Sequence, residues 1–118
     1  MVKLGFAVAA ACACWAMTAG AASNDYPTKP VRFISPFSAG GGTDTVARAL
    51  ALRLGDALGK TFIVDNRAGA EGIIGTELAA KSPPDGHTVL IVASAHAINP
   101  ALVAKLPYDT LRDLAPVS

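Results

Sequence analysis

Apolar residues in this chain come in short blocks closed by proline or glycine, and the spacing inside the blocks changes from one to the next. Residues 31–36, Val-Arg-Phe-Ile-Ser-Pro, form a β-rich run bracketed by Pro30 and Pro36, which suits a buried strand. A flexible turn follows, Phe37-Ser38-Ala39-Gly40-Gly41-Gly42, and Thr43 and Asp44 stand where a helix would be capped. Val46, Leu50, Leu54 and Leu58 recur every four residues and predict one apolar stripe on that helix, with Arg48, Arg53 and Asp56 off it. Gly59 sits where a C-terminal glycine would stop it.

The same alternation continues downstream. Residues 61–65 predict a second strand, and 66–72 a loop. A second helix is predicted over 73–81, with Ile74, Leu78 and Ala79 near one face, and Ser82-Pro83-Pro84-Asp85-Gly86 then breaks the chain. Residues 88–93 are continuous and apolar, as in a strand of a parallel sheet covered on both faces. Residues 94–98 read as a loop, Asn99-Pro100 as the start of a short helix to Leu106, and 114–118 as a strand just beginning. That last block predicts that the chain is part of something longer.

Strand, helix, strand, helix, strand at these intervals predicts an α/β fold with a parallel βαβ sheet and right-handed crossovers. Ligands of such sheets collect beyond the carboxyl ends of the strands. Three loops leave that edge, beginning at Phe37, Asn66 and Ser94, and function is to be sought there.

The first 21 residues change the picture. Lys3 is followed by an uncharged apolar run over 4–17, and the segment closes on Thr18-Ala19-Gly20-Ala21-Ala22. Ala19 and Ala21 fit the small-x-small pattern of a cleavable export signal, with cleavage after Ala21 or Ala22. The run is short for a membrane span, which needs about 20 apolar residues. Both cysteines, Cys12 and Cys14, fall inside it, so residues 22–118 carry no thiol. Lipidation of either is disfavoured, because Ala9 and Ala11 stand where such a site prefers Leu. Loss of Lys3 leaves the mature chain with equal numbers of basic and acidic residues. No basic field remains to attract nucleic acid or an anionic membrane.

The first loop carries the most chemistry. A glycine turn feeding a helix offers unpaired backbone N–H groups and the positive end of the helix dipole. Glycines let that backbone approach a ligand closely. Such a site holds a carboxylate or phosphate without a charged side chain; a tight strand-to-helix connection without a ligand is the alternative reading. The P-loop pattern fails because no Lys follows the glycines, and the dinucleotide fingerprint fails because Thr45 occupies its third glycine position. Asp65 does stand where a ribose-binding acid would, but export argues against a nucleotide cofactor. His87 and His96 flank the third strand without Glu or Cys at metal-ligand spacing, so no metal site is predicted. Ser38 and Ser94 lack the G-x-S-x-G setting of a nucleophile. No catalytic residue and no cofactor is predicted.

Six motifs in order carry a resemblance: Tyr26-Pro27-Thr28-Lys29-Pro30-Val31-Arg32, Pro36-Phe37-Ser38-Ala39-Gly40-Gly41-Gly42-Thr43-Asp44, Asp65-Asn66-Arg67-Ala68-Gly69-Ala70, Pro84-Asp85-Gly86-His87-Thr88, Ala97-Ile98-Asn99-Pro100 and Leu106-Pro107-Tyr108-Asp109. Together they closely resemble the periplasmic solute-binding proteins of tripartite tricarboxylate transporters, the Bug or TctC-like family. The resemblance runs from Tyr26 to Ser118. Two departures stand in the second loop, Ala68 where the family usually has Pro and Glu71 where it often has Gly.

The resemblance implies a type II periplasmic binding fold, with residues 22–118 as the N-terminal part of lobe one and the second lobe absent. It implies a monomer that captures a small di- or tricarboxylate in the periplasm and hands it to membrane permease subunits. It places ligand contacts on Phe37, Ser38, Ala39, Gly40, Gly41, Gly42, Thr43 and Asp44, with Ser94, His96 and Asn99 nearby. Ser38 and Thr43 would give hydroxyl donors and Gly41 and Gly42 backbone donors. Asp44 would be a structural cap, since a free carboxylate would repel an anion. With half the cleft missing, the 118 residues alone are expected to bind weakly or not at all. A ligand sensor and an exported hydrolase using Ser38 or Ser94 are the rival functions.

Overall fold

The computed structural model describes residues 25–117. The expected export signal and its cleavage site lie outside the described residues. Three parallel strands, β1 (Val31–Ser35), β2 (Phe62–Asn66) and β3 (Thr88–Leu90), alternate with helices α1 (Gly42–Leu58), α2 (Ile73–Ala80) and α3 (Ala95–Leu102). The sheet order is β2-β1-β3, which confirms the α/β reading. β1 pairs with β2 from Val31↔Phe62 to Ser35↔Asn66, and with β3 from Arg32↔Thr88 to Ile34↔Leu90.

β1 is the hydrophobic centre because it is the middle strand, flanked on both edges. Val31 and Ile34 are fully buried and Phe33 nearly so. Phe33 meets Phe62 of β2 edge-on, with ring centroids 5.4 Å apart. The chain goes from β1 to β2 on one side and then returns past β1 to β3 on the other. With right-handed crossovers, α1 and α2 therefore lie on opposite faces of the sheet.

Pro36 sets the length of the ladder. Ile91 N–H still reaches Ile34 O at 2.9 Å, but the next bond would need an N–H on Pro36, which has none. β3 thus ends at Leu90, not at residue 93 as the apolar run predicts, and Val92 is 43% exposed.

α1 forms where predicted, with Gly59 in the left-handed region at its C-cap and its N–H bonded to Gly55 O. Its packing face differs from the expected one. Val46, Leu50 and Leu58 are among the exposed large hydrophobics, while Asp44 and Ala47 are buried and Ala51 and Leu54 half-buried. The covered positions follow a 3-4-3 spacing, which stays on one helix face. A strict four-residue repeat advances about 40° per step around a 3.6-residue helix and winds off it. Small residues at Ala47 and Ala51 also let the helix approach the sheet closely. Gly41, not Thr43 or Asp44, is the N-cap.

Two expectations near the C-terminus are corrected. Residues 95–98 are helical rather than looped, and α3 stops at Leu102 with Pro100 inside it. The missing Pro100 N–H falls within the first two turns, and the helix closes with Val103 N–H on Asn99 O at 2.9 Å. Residues 114–117 form no strand. No helix among the described residues is long and apolar enough to cross a membrane.

Candidate functional site

In an open parallel sheet a crevice forms where neighbouring strands send their chains to opposite faces. Here that point lies between the carboxyl ends of β1 and β3. The crevice is lined by Pro36 and Phe37 after β1, by Glu71, Gly72 and Thr76 around the start of α2, and by Val92, Ala93, His96 and Asn99 after β3. All three loops flagged by the sequence contribute to it or border it.

The glycine loop is held from behind by Asp44. Its Oδ2 accepts the Gly40 N–H at 2.9 Å and Arg48 Nε at 3.0 Å, and its Oδ1 accepts Asn66 Nδ2 at 2.9 Å. Asn66 Nδ2 also reaches Phe37 O at 3.2 Å, and an Arg48 terminal nitrogen reaches Asn66 Oδ1 at 3.3 Å. These bonds stabilise the ionised carboxylate. The Arg48 hydrogen bond leads, followed by the Gly40 amide and Asn66, and they hold Asp44 at about 2 against an ordinary 3.8. Asp44 is 3% exposed. Its charge is buried and already matched, so it is a structural brace and presents no bare anion to a ligand.

The loop itself faces outward. Ser38, Ala39, Gly40, Gly41 and Gly42 are exposed, and Thr43 is half-buried. Gly40 takes φ 85, a left-handed conformation that glycine adopts freely. The first intrahelical bond of α1 runs from Thr45 N–H to Gly41 O at 3.0 Å. The N–H groups of Gly42, Thr43 and Asp44 precede it and have no intrahelical partner. They form a neutral donor set at the positive end of a 17-residue helix.

The other proposed contacts divide. Phe37, His96 and Asn99 meet in the crevice lining, which stops short of residues 38–44. Ser94 is exposed at the N-cap of α3 and makes no side-chain capping bond. Asn99 is buried, and its Nδ2 donates to Glu71 O at 3.1 Å, so it positions the second loop. His96 stacks on Tyr108 with centroids 6.3 Å apart and planes 12° from parallel, and its Nδ1 is buried with no partner. No group of three or more His, Cys, Asp or Glu among the described residues could hold a metal ion.

Several site residues were not singled out from the sequence. Arg48 was visible as the i+4 partner of Asp44, but the predicted stripe set it on the solvent face. Asn66 depends on a pairing across 22 positions that no local pattern shows. Gly72 lies in the predicted loop 66–72, where the sequence marks only Ala68 and Glu71. There Ala70, Glu71 and Gly72 take φ 48, 53 and 87 in succession. The second loop is wedged tightly against the first strand. A Cβ on Gly72 would sit 3.4 Å from both Phe37 Cζ and Pro36 Cβ, and one on Gly75 would sit 2.8 Å from Arg67 O and Pro36 Cα.

Residues 46–118 match the family described as tripartite tricarboxylate transporter family receptor. The chain is 45% identical over 104 residues to protein BugT of Bordetella pertussis, covering 86% of this chain and 32% of that one. Among solved structures it is similar to MatC (Rpa3494) from Rhodopseudomonas palustris with bound malate. That match has a TM-score of 0.72 at 36% identity, over 78% of this chain and 32% of the other. R. palustris Rpa4515 with adipate matches with a TM-score of 0.68 at 38% identity, over 72% and 29%. The chain spans about a third of the length of the curated relatives it matches.

Proposed function

The chain belongs to the tripartite tricarboxylate transporter receptor family, and on that premise we propose that it captures a small carboxylate in the periplasm for delivery to a membrane permease. The observation that carries this reading is the state of the glycine loop. Its one acid is neutralised by Arg48, Asn66 and the Gly40 amide, while the amides of Gly42 and Thr43 stand free on an exposed turn. Neutral donors at a helix N-terminus suit a ligand that must be released again, because no full ion pair has to be broken. Malate in MatC and adipate in Rpa4515 are both small dicarboxylates, which supports the ligand class. The export pattern over residues 1–21 supports the compartment.

Binding without turnover is part of the proposal. Neither Ser38 nor Ser94 hydrogen-bonds a base among the described residues. Mass spectrometry of ligand co-purified with the full-length chain, followed by titration against malate, adipate, succinate and citrate, tests the reading. Stoichiometric, reversible binding of at least one carboxylate is expected. Hydrolytic release of product from any of them, or binding of none, would contradict it.

A further inference from the structure

We propose that His87 is a pH-sensitive latch: its neutral ring holds the backbone of the segment before β1, and protonation of the ring releases that hold. The latch lies at the amino end of the sheet, opposite the crevice, and does not depend on the solute-binding reading.

The turn at Asp85, Gly86 and His87 gathers the segment from Tyr26 to Lys29 across 56 to 60 positions of sequence. Tyr26 donates its hydroxyl to Gly86 O at 2.5 Å, and Lys29 Nζ donates to Asp85 Oδ2 at 2.7 Å. Pro27, between them, is fully buried. Thr28 is thereby pinned from both sides, and its N–H donates to His87 Nε2 at 3.2 Å. On the other side of the ring, Nδ1 stands 3.0 Å from Asp85 O. His87 is buried, so both ring nitrogens depend on these protein partners.

These partners fix where the ring carries its proton. A carbonyl only accepts, so Nδ1 carries the hydrogen; a backbone N–H only donates, so Nε2 presents its lone pair. A second proton on Nε2 would set two donors against each other in a buried site, and the Thr28 amide would lose its partner. An alternative acceptor stands in the same residue, Thr28 Oγ1, 3.5 Å from Nε2. Charging the ring thus exchanges a hold on the backbone for a contact with a hydroxyl. Two groups facing the ring favour its charged form: Asp85 Oδ1, 3.5 Å from Nδ1, and the Tyr26 ring, with centroids 5.1 Å apart. Lys29 is paired with Asp85, and Arg32, whose N–H bonds His87 O, sends its guanidinium to Asp65. Asp25, a further acid, begins the segment. Histidine ordinarily changes charge between about pH 5 and 8. The Lys29 hydrogen bond first, and the His87 amide second, hold the Asp85 carboxyl at about 2, so Asp85 stays ionised throughout that range.

NMR of the ¹⁵N-labelled full-length protein between about pH 8 and about pH 5 tests this, reading the His87 ring nitrogens and the hydrogen-exchange protection of two amides. At the upper end the ring should be the Nδ1–H tautomer. As the ring charges, protection of the Thr28 amide, corrected for its intrinsic exchange rate, should fall by about tenfold, the scale of one lost hydrogen bond. The Arg32 amide bonds the His87 carbonyl and not the ring, so it should keep its protection. His87→Gln retains an acceptor without a titrating ring and should leave Thr28 protected across the range. The Nε2–H tautomer at about pH 8, or unchanged Thr28 protection while the ring charges, overturns the latch. So does a Thr28 step that persists in His87→Gln. Both wild-type readings decide the matter by themselves if that variant fails to fold.

Discussion

The loops after β1 and β2 leave the same edge of the same sheet, both rich in glycine, and the fold treats them in opposite ways. In the first, the only left-handed residue is Gly40, and the nearby acid is buried and fully bonded. In the second, Ala70 and Glu71 share the left-handed region with Gly69 and Gly72, and the acid is exposed with no side-chain partner among the described residues. The first is a relaxed cradle of neutral donors. The second is a strained turn held by packing and by Asn99. The donors proposed to take an anion thus stand where strain is absent, and an exposed acid stands where the fold sustains strain.

That contrast breaks most severely at Gly75, where the second loop and α2 press on β1. Gly75→Ala would put a Cβ 2.8 Å from two backbone atoms, Arg67 O and Pro36 Cα, neither of which is a side chain that can swing away. A loss of about 3 kcal/mol in urea unfolding is expected, at the upper end for overpacking. A change under half of that would mean that the two loops are not wedged as described.

Acid should break the first loop next, and over a defined range. Asp44 is depressed from 3.8 to about 2, so its contribution to stability is fully present above the unfolded value near 3.8 and is lost as pH falls through about 2. Amide exchange at Gly40 and Asn66 should stay slow to about pH 3 and rise steeply below it. Asp44→Asn should abolish that pH step; persistence of the step in the variant would point to another group.

The smallest effect has the opposite sign. Glu71→Gly relieves a left-handed residue with a Cβ and should raise unfolding stability by about 1 kcal/mol. Destabilisation would show that the Glu71 side chain holds the turn, although it has no hydrogen bond or ion pair among the described residues.

Much of the scaffold was legible because prolines and glycines mark it: Pro30 and Pro36 bracket β1, and Gly59 ends α1 where expected. What stayed hidden depends on contacts between distant residues. The outward turn of Val46, Leu50 and Leu58 follows from small Ala47 and Ala51 meeting the sheet, which a count of apolar spacing does not weigh. β3 is short because of a proline on its neighbour, not within its own run. Asn99 reads as a helix starter beside Pro100, yet it is a buried brace on a loop 28 positions earlier. The glycine turn was legible as a helix start with open backbone amides; the crevice beside it, with Glu71 in its lining, appeared only once the three loops were brought together.

The central claim is that a carboxylate is held by the free amides at the start of α1. The direct measurement is ¹H–¹⁵N chemical-shift mapping of the full-length protein during titration with malate. The amide signals of Gly42, Thr43 and Asp44 should shift first and furthest, with smaller changes at Phe37 and His96. Saturating shifts confined to other residues, or none at the glycine loop while malate binds elsewhere, would contradict it.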